Sequence, residues 1–234
     1  MRKVLVVEDE AAIREFVVIN LRRAGYETVE AQTGEEALNI FYMDSDFHVV
    51  LLDIMMPGID GLAVCKEIRA RNNTVGVIML TAKSQEMDKV SALMLGADDY
   101  MTKPFSPTEL VARVDSLSRR VELQSGIKPT RSASDEIVLG DFSLDLRRRT
   151  LAKRGMNIEL TPLEYQVIEL LFSRPNITID RTEILRKVWG DEYLGDEKIV
   201  DVNVRRLRMK IEDDASTPRH LLTVWGRGYK WIIE

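Results

Sequence analysis

The sequence predicts an α/β domain with a five-stranded, parallel, doubly wound sheet, followed by a smaller α+β domain. In the first half of the chain, short apolar runs alternate with helical patterns, as in a parallel sheet whose strands are joined by helices. In the second half, short strands come first and helices follow. The chain has 234 residues. This length favours two domains over one, because a domain usually contains roughly 100 to 200 residues.

Five runs in the first half predict the strands of the sheet: KVLVV (3–7), ETVEA (27–31), VVLLD (49–53), GVIML (76–80) and DDYMT (98–102). Between the first two runs, Ile13, Phe16, Val17 and Leu21 follow the spacing of one face of an amphipathic helix. The run VVLL is apolar at every position, so both faces of its strand are expected to be buried. The pattern predicts five strand–helix units around one sheet.

Capping signals mark helix ends along the chain. The T-x-x-E sequence at Thr33 and the S-x-x-E sequence at Ser106 predict helix starts, and Gly25 predicts a helix end. In the second half, Thr161 is followed by Pro and then by Glu at the third position, and Asp180 is followed by Glu at the third position. Two further helices are therefore expected to begin there.

The second half contains the elements of a winged helix-turn-helix in their usual order. Residues 137–160 predict short antiparallel strands with turns at Gly140 and at 154–155, ahead of the two helices just described. A third helix covers about 197–212, and a hairpin around 226–228 follows it. The helix-helix-helix-hairpin order favours a domain that binds nucleic acid.

The stretch QSGIKPTRSASDE between the two halves contains Gly, Pro, Ser and charge without periodicity, which predicts a flexible linker. The predicted organisation is residues 1–122 as the first domain, 123–136 as the linker and 137–234 as the second domain.

Composition excludes several classes of protein. With 45% apolar and 30% charged residues, the chain is not disordered throughout. Its one cysteine, Cys65, excludes an internal disulfide, and with two histidines there are too few soft ligands for a Cys/His zinc site. No apolar run approaches the roughly 18 residues of a membrane span, so we expect a cytoplasmic protein without a membrane partner.

The net charge of −5 is unevenly divided along the chain. Residues 1–136 contain 16 Lys and Arg against 22 Asp and Glu, a net charge of −6, whereas residues 137–234 contain 17 against 16, a net charge of +1. Only the second domain is therefore expected to contact DNA, through basic residues gathered on one surface.

Several polar residues follow the strands of the predicted sheet. Glu8 and Asp9 come after the first strand, Asp53 ends the third, Thr81 follows the fourth and Lys103 follows the fifth. These positions all fall at the carboxyl edge of a parallel sheet, where such sheets bind ligands. Three carboxylates beside one lysine repel one another, so either some of them keep their protons or a cation binds, and Mg²⁺ is the best candidate because it suits carboxylate, water and phosphate oxygens.

The same residues fit phosphoryl transfer to an aspartate. Asp53 is central and can act as a nucleophile toward phosphorus, while Glu8 and Asp9 hold the metal. Lys103 pairs with a phosphoryl oxygen, and the Thr81 hydroxyl bonds to another. Taken alone, each residue has a plainer explanation as a helix cap, turn former or solvated loop residue. Their meeting at one sheet edge favours the chemical interpretation.

The motifs VLVVEDE, LLDIMMPGIDG, MLTAK and GADDYMTKPF resemble, in order and spacing, the flavodoxin-like receiver domain of two-component response regulators. The resemblance covers roughly residues 1–122. It implies that Asp53 is the phosphoacceptor, that Glu8, Asp9, Asp53 and the Met55 backbone carbonyl hold Mg²⁺, and that Thr81 with Tyr100 forms the switch that reports phosphorylation. The phosphoryl donor is then a separate sensor histidine kinase. Glu8 departs from the aspartate that many receivers have there.

The third helix of the second domain has a buried stripe at Val200, Val204, Leu207 and Ile211, and basic residues occupy its other faces. A solvated charged face is the plainer explanation. As the second helix of a helix-turn-helix, however, it is the element that enters a major groove, where arginine pairs with guanine and phosphate.

The motifs LTPLEYQVIELL, ILRKVWG, VDVNVRRLRMKIE and TVWGRGYKW resemble the DNA-binding domain of the OmpR/PhoB subfamily. The acidic loop at 190–197 is expected to meet RNA polymerase instead of DNA. Trp225 stands where some members have a wing arginine, and whether Arg227 replaces it stays open. By resemblance the residues that face promoter DNA are Trp189, Lys198, Val202, Asn203, Arg205, Arg206, Arg208, Thr223 and Arg227.

The combined expectation is a phosphorylation-activated transcription regulator that dimerises and binds tandem half-sites, and not an enzyme beyond slow self-phosphorylation and autodephosphorylation. Two alternatives are a phosphorylation-independent regulator with a degenerate receiver and an aspartyl-phosphate phosphotransferase or phosphatase. Resemblance places the dimer interface on the fourth and fifth helices and the fifth strand of the receiver, with the residues Lys89, Val90, Leu93, Asp98, Asp99, Glu109, Ala112, Arg113 and Arg120.

Overall fold

A computed structural model of the chain describes residues 2–82, 92–125, 136–191, 193 and 196–233. The chain divides into two compact units, Met1–Glu122 and Leu123–Glu234. Each unit has its own core. Within the described residues, no helix is long and apolar enough to cross a membrane.

The first unit is an α/β domain with a five-stranded parallel sheet in the order β2-β1-β3-β4-β5, as predicted. A short helix, α4, covers residues 92–94. The other elements of this unit are β1 (Lys3–Val7), α1 (Ala11–Arg23), β2 (Glu27–Ala31), α2 (Gly34–Met43), β3 (Val49–Asp53), α3 (Gly61–Arg71), β4 (Gly76–Ala82), β5 (Asp99–Lys103) and α5 (Pro107–Ser125).

The central strands are covered on both faces, which is why their sequences show no alternation of apolar and polar residues. Every residue of β3 is buried. The predicted caps also form: the Glu36 amide donates to Thr33 Oγ1 at 3.2 Å, and the Glu109 amide donates to Ser106 Oγ at 3.1 Å. Gly25 has a φ of +90°, the left-handed conformation that ends α1.

Several boundaries differ from the prediction. β4 continues to Ala82, two residues beyond the predicted run. β5 begins at Asp99, one residue later, because the Asp98 amide and carboxylate both bond to the backbone of Val77 and close the preceding turn. α5 extends to Ser125, so the first three residues of the predicted linker are helical, and Glu136 belongs to the first strand of the second unit. Residues 126–135 of the linker lie outside the described residues.

The second unit is a winged-helix domain. A four-stranded antiparallel sheet precedes three helices, and a hairpin pairs with a short strand in the order β10-β12-β11. Its elements are β6 (Glu136–Leu139), β7 (Phe142–Asp145), β8 (Thr150–Lys153), β9 (Met156–Ile158), α6 (Pro162–Phe172), β10 (Ile179–Asp180), α7 (Arg181–Trp189), α8 (Lys198–Ile211), β11 (Leu221–Val224) and β12 (Gly228–Trp231).

Aromatic rings join the parts of this unit. The indole of Trp231 on β12 packs edge-on against Phe142 of β7, with centroids 5.0 Å apart, and lies tilted against Phe172 of α6 at 4.6 Å. At the base of the hairpin, a Cβ on Gly228 would lie 2.0 Å from the Ile179 carbonyl oxygen. Glycine there lets β12 approach β10 closely, so the hairpin base is fixed to the domain.

Candidate functional site

The carboxyl edge of the parallel sheet brings together the residues that the sequence placed there. Glu8 directly follows β1, Asp53 ends β3, Thr81 is the next-to-last residue of β4, and Lys103 ends β5. Gly61 begins α3 so close to this edge that a Cβ on it would lie 2.0 Å from the Asp53 carbonyl oxygen. A larger residue would therefore push α3 away from Asp53.

The acidic side chains of the edge share one lysine. Lys103 Nζ lies 2.7 Å from Glu8 Oε2 and 3.0 Å from Asp53 Oδ2. Glu8, Asp9 and Asp53 each offer a carboxylate oxygen, and these three oxygens lie within 4.8 Å of one another. Glu8 and Asp53 are buried. The edge is thus an acidic pocket with more negative than positive charge.

The imbalance appears in the pKa values of the pocket. Burial raises the pKa of the Glu8 carboxyl to about 7, and burial also raises the pKa of Asp53 above its ordinary value. For Lys103, burial lowers the pKa, but the hydrogen bond to Glu8 and the charge of Asp53 outweigh it and raise the pKa overall. The lysine therefore stays charged, while the carboxylates favour an additional positive charge.

These residues fit a bound Mg²⁺. The pocket offers several hard oxygen ligands, and one side, at Asp9, is not buried. A backbone hydrogen bond from Met55 lowers the pKa of Asp53, which brings the Met55 backbone to the pocket. The coordination by the Met55 carbonyl stays a prediction.

The two predicted switch residues lie on neighbouring strands. Thr81 is buried in β4, and its hydroxyl donates to the Ala82 carbonyl at 3.2 Å. Tyr100 is buried in β5, at the position paired with Met79 of β4. A change in the Thr81 side chain would therefore act on strands that are directly hydrogen-bonded to each other.

In the second unit, α8 exposes a basic face. Lys198, Arg205 and Lys210 are exposed and Arg208 is partly exposed, while Met209 is 62% exposed one turn after Arg205. The positive charges agree with the prediction that this helix faces DNA. We call α8 the recognition helix.

Four predicted DNA contacts are buried instead, which corrects their expected orientation. Arg206 Nη2 lies 2.8 Å from Glu164 Oε1 in α6, so its guanidinium points into the domain. Asn203 is fully buried, and its amide donates to the Ile199 carbonyl at 2.8 Å. Val202 and Trp189 are also buried, at 8% and 4% exposure. The sequence alone did not show that these four side chains are buried while their neighbours, such as Arg205, are exposed.

Arg208 and Thr223, both predicted DNA contacts, bond to each other. Arg208 Nη2 donates to Thr223 Oγ1 at 2.8 Å, and Arg208 Nε donates to the Leu221 carbonyl at 2.8 Å. On the same side, the Tyr229 hydroxyl donates to Asp201 Oδ1 at 2.5 Å. These bonds attach the hairpin β11–β12, which we call the wing, to the recognition helix.

Comparisons with known proteins agree with both units. Residues 4–115 match the family model described as a response regulator receiver domain, and residues 155–231 match the one described as the C-terminal region of transcriptional regulatory proteins. The structure is similar to DrrB, an OmpR/PhoB homolog from Thermotoga maritima, with 31% identity, 99% of each chain covered and a TM-score of 0.51. The chain belongs to the OmpR/PhoB family of response regulators.

Two further structures support the fold. A mutant of RitR matches with 22% identity, 99% of each chain covered and a TM-score of 0.74. A receiver domain protein from Clostridium thermocellum matches with 28% identity, covering 53% of this chain and 98% of its own, with a TM-score of 0.51. As a member of the OmpR/PhoB family, the chain is a phosphorylation-regulated transcription regulator of a two-component system that binds DNA and receives its phosphoryl group from a histidine kinase.

The residues that the OmpR/PhoB resemblance assigns to a dimer interface are largely paired within the chain. Asp98 is fully buried, and its Oδ2 accepts a hydrogen bond from Arg69 Nη2 at 2.7 Å, instead of facing outward to meet Arg120 of a second copy. Arg113 lies 2.9 Å from Asp99 and 2.9 Å from Glu109.

Other residues assigned to the dimer interface are buried or lie outside the described residues. Leu93 is 2% exposed and Arg120 is 8% exposed, so neither offers a free surface in this conformation. Ala112 is exposed on α5. Lys89 and Val90 lie outside the described residues. An interface here would need rearrangement of the chain's own ion pairs.

Sequence reasoning missed Arg69 and Glu164, which organise buried charge in the two units. Arg69 is bonded to Asp98 and to the carbonyls of Gly96 and Val75, at 2.8 Å and 2.6 Å. Glu164 was identified only as a capping residue, although Arg206 and Lys210 both contact it. Arg206 and Lys210 are basic residues at i and i+4, next to the buried stripe of α8. This spacing could have indicated that they share an acidic partner.

Proposed function

We propose that Asp53 is the phosphoacceptor of this response regulator and that Glu8 and Asp9 hold the Mg²⁺ which the reaction requires. The observation that supports this proposal best is the meeting of three carboxylates within 4.8 Å at the sheet edge, with Lys103 bonded to two of them. Asp53 is the only one of the three carboxylates that ends a strand at the centre of the sheet.

In the proposed reaction, an Asp53 carboxylate oxygen attacks the phosphorus of a phosphohistidine. The P–O bond to Asp53 forms as the P–N bond breaks, and the released imidazole takes up a proton from water. Lys103 keeps its positive charge beside Asp53 and therefore stabilises the added negative charge on the phosphoryl oxygens. A bound Mg²⁺ neutralises further charge on the transferring group.

Thr81 is proposed to report the reaction to the rest of the receiver. Its hydroxyl currently donates to the neighbouring Ala82 carbonyl, a 3.2 Å contact that a phosphoryl oxygen can replace as a stronger acceptor. Because β4 and β5 are paired, the resulting shift reaches Tyr100 and the surface of β5. Phosphorylation then changes the population of a dimerising state.

The output is proposed to be binding to tandem promoter half-sites by two copies of the wing and recognition helix. Lys198 and Arg205 on the recognition helix and Arg227 on the wing supply exposed positive charge for bases and phosphates. RNA polymerase is the proposed partner of the acidic loop at 190–197, since this loop repels DNA. The protein acts in the cytoplasm, where the DNA is.

Two alternatives have less support. A phosphorylation-independent receiver would not need the complete set of Asp53, Lys103 and Thr81 that the sheet edge retains. A phosphotransferase or phosphatase for small substrates would turn over a substrate, whereas we propose that this chain only phosphorylates and dephosphorylates itself slowly. The DNA-binding unit favours a regulator over this enzyme.

Intact-mass measurement after treatment with acetyl phosphate and Mg²⁺ tests the phosphoacceptor. We expect one phosphoryl adduct in the wild type and none in Asp53→Asn. The matched control is Asp46→Asn, an exposed aspartate at the opposite end of β3, which should retain the adduct. A full adduct in Asp53→Asn would refute the assignment.

A further inference from the structure

The loop from β1 to α1 carries both Glu8 and Asp9, and it leads into a helix that is capped differently from its neighbours. α2 and α3 each follow a capping residue, Thr33 and Asp60, whose side chain accepts a hydrogen bond from a backbone amide of the helix. Glu10, which occupies the same position before α1, makes no side-chain cap hydrogen bond within the described residues. Other contacts must therefore hold this loop in one conformation.

Arg14 of α1 bonds to the backbone of this loop. Its Nη1 donates to the Glu8 carbonyl at 2.8 Å and to the Asp9 carbonyl at 3.3 Å. The Arg14 side chain is 12% exposed, so these hydrogen bonds are shielded from water. On the side of β2, the Glu8 amide donates to the Ala31 carbonyl at 3.1 Å. Consecutive peptide groups of the loop are therefore held in place, and they set the direction of the Glu8 and Asp9 side chains.

The positive charge of Arg14 would by itself repel a nearby cation, but it is compensated. Arg14 Nε lies 3.6 Å from Glu30 Oε2 on β2, and the two bonded carbonyl oxygens add the negative ends of their dipoles. The position of the ligands matters more for this ion, because Mg²⁺ requires nearly ideal octahedral coordination at roughly 2.0–2.1 Å. The hold of Arg14 on the loop should therefore favour Mg²⁺ binding by more than its charge opposes it.

We propose that Arg14 is a positioning residue of the metal site. Its guanidinium holds the backbone of Glu8 and Asp9 so that both carboxylates can bind Mg²⁺ together, while Arg14 itself contacts neither the ion nor the phosphoryl group. This role rests on the proposed function, in which those two carboxylates hold the metal. Groups that orient metal ligands without touching the metal typically contribute roughly 10- to 100-fold to metal affinity. Loss of the guanidinium should therefore weaken Mg²⁺ binding although every carboxylate of the pocket remains.

Isothermal titration calorimetry of the full-length protein with MgCl₂ tests this role without relying on phosphorylation. Arg14→Met keeps an apolar stem but removes the donors, and we expect it to weaken Mg²⁺ binding about tenfold. Arg14→Lys keeps the charge and an ammonium donor but not the planar fork, so it should weaken binding about threefold. The matched control is Arg22→Met, which removes another arginine of α1 that pairs with Glu30 and should bind Mg²⁺ as the wild type does.

The dependence of phosphorylation on Mg²⁺ concentration separates positioning from a loss of folded protein. With acetyl phosphate as the donor, Arg14→Met should need about tenfold more Mg²⁺ to reach half of its maximal rate. Its rate at saturating Mg²⁺ should stay close to that of the wild type, because Asp53 and Lys103 are unchanged. A variant that is partly unfolded would instead lose maximal rate and keep the wild-type dependence on Mg²⁺, and that result would contradict a positioning role.

Wild-type or higher Mg²⁺ affinity in either folded Arg14 variant would show that the loop keeps its geometry without the guanidinium, and it would overturn this role. Asp9→Asn distinguishes such a failure from a failure of the proposed function. If Asp9→Asn weakens Mg²⁺ binding and the Arg14 variants do not, the metal site stands and only the positioning role is wrong. If Asp9→Asn also binds Mg²⁺ as tightly as the wild type does, the proposed metal site itself is wrong.

Discussion

Each unit of the molecule contains a buried cluster of charged side chains, and the two clusters differ in the balance of their charges. In the receiver, Glu8, Asp9 and Asp53 surround one lysine. In the DNA-binding unit, one carboxylate, Glu164, lies 2.8 Å from Arg206 and 2.7 Å from Lys210. The first cluster has an excess of negative charge, whereas the second has enough positive charge for its carboxylate.

The pKa values show what this difference means for each cluster. Burial raises the pKa of Glu8 to about 7, so the receiver pocket is prepared for an additional cation. Burial also favours the neutral form of Glu164, but the charges of Arg206 and Lys210 outweigh it and hold the pKa below its ordinary value. A buried cluster with compensated charge supports the fold, and one with uncompensated charge supports binding.

Removing the carboxylate of the compensated cluster should have the largest effect on stability. Glu164→Ala leaves Lys210 and the buried Arg206 without their carboxylate, and it removes the half of the α6 capping box in which the Thr161 amide donates to Glu164 Oε2. We expect the free energy of unfolding to fall by about 3 to 5 kcal/mol, the usual cost of breaking a buried ion pair. Urea denaturation followed by circular dichroism measures this loss.

Glu136→Ala is the control for that measurement, because Glu136 is exposed at the start of β6. Its effect should stay within about 0.5 kcal/mol. A loss for Glu164→Ala no larger than that of the control would contradict the structural role of the cluster.

The neighbouring residues Arg205 and Arg206 separate DNA binding from stability. Arg205 is exposed, and its replacement by Ala should weaken specific DNA binding by roughly 1 to 3 kcal/mol while leaving the unfolding curve unchanged. Arg206 is bonded to Glu164, so Arg206→Ala should mainly destabilise the domain. Anisotropy titrations at fixed salt measure the DNA affinity of each variant, and thermal melts measure its stability. If Arg205→Ala destabilised the domain and Arg206→Ala mainly weakened DNA binding, the recognition helix would face DNA with a different side.

The sequence predicted most of the receiver fold and its pocket, but it did not predict how Arg205 and Arg206 differ. Strand–helix alternation predicted β1, β2 and β3 to the residue. For β1 and β3 the signal is clear because a parallel strand buried on both faces is apolar throughout. The pocket followed from topology, since carboxyl ends of parallel strands meet. The orientation of Arg206 did not follow, because it depends on a carboxylate 42 positions earlier in the chain that local periodicity does not reveal.

The receiver pocket, with its excess of negative charge, should make the stability of the protein depend on Mg²⁺. We expect Mg²⁺ to bind the folded receiver pocket and not the unfolded chain, so at ten times its dissociation constant it should stabilise the protein by about 1.4 kcal/mol. Chelation should reverse the effect. Asp9→Asn should reduce it, whereas Mg²⁺ should shift the melting temperature of Asp46→Asn as it does that of the wild type. Equal shifts for Asp9→Asn and the wild type in differential scanning calorimetry would place the metal elsewhere.

A third cluster lies on α5 and β5, and the same reasoning applies to it. Arg113 bonds to both Asp99 and Glu109, so two carboxylates share its guanidinium. Among the residues that the structure describes, this group has more acidic than basic side chains, and it lies on the surface where resemblance places the dimer. A second copy that brings basic residues to this cluster would compensate its charge. Each added pair is worth only roughly 0 to 1 kcal/mol, but two-fold symmetry repeats it.

The dimer is therefore expected to form only when phosphorylation rearranges these pairs, and its test must avoid residues that also stabilise the monomer. Charge reversal at Arg113 would break contacts within the chain, so Ala112→Glu, at an exposed position one residue earlier, is the cleaner change. In sedimentation of the full-length protein with beryllofluoride, a phosphoryl mimic, we expect the wild type to dimerise. Ala112→Glu adds negative charge to a surface that already has an excess of it, so it should weaken dimerisation about fivefold, or roughly 1 kcal/mol. Met43→Glu, at an exposed position on α2, should dimerise as the wild type does. If the wild type stays monomeric at high micromolar concentration with the mimic bound, this acidic surface is not a dimer interface, and the dimer prediction is wrong.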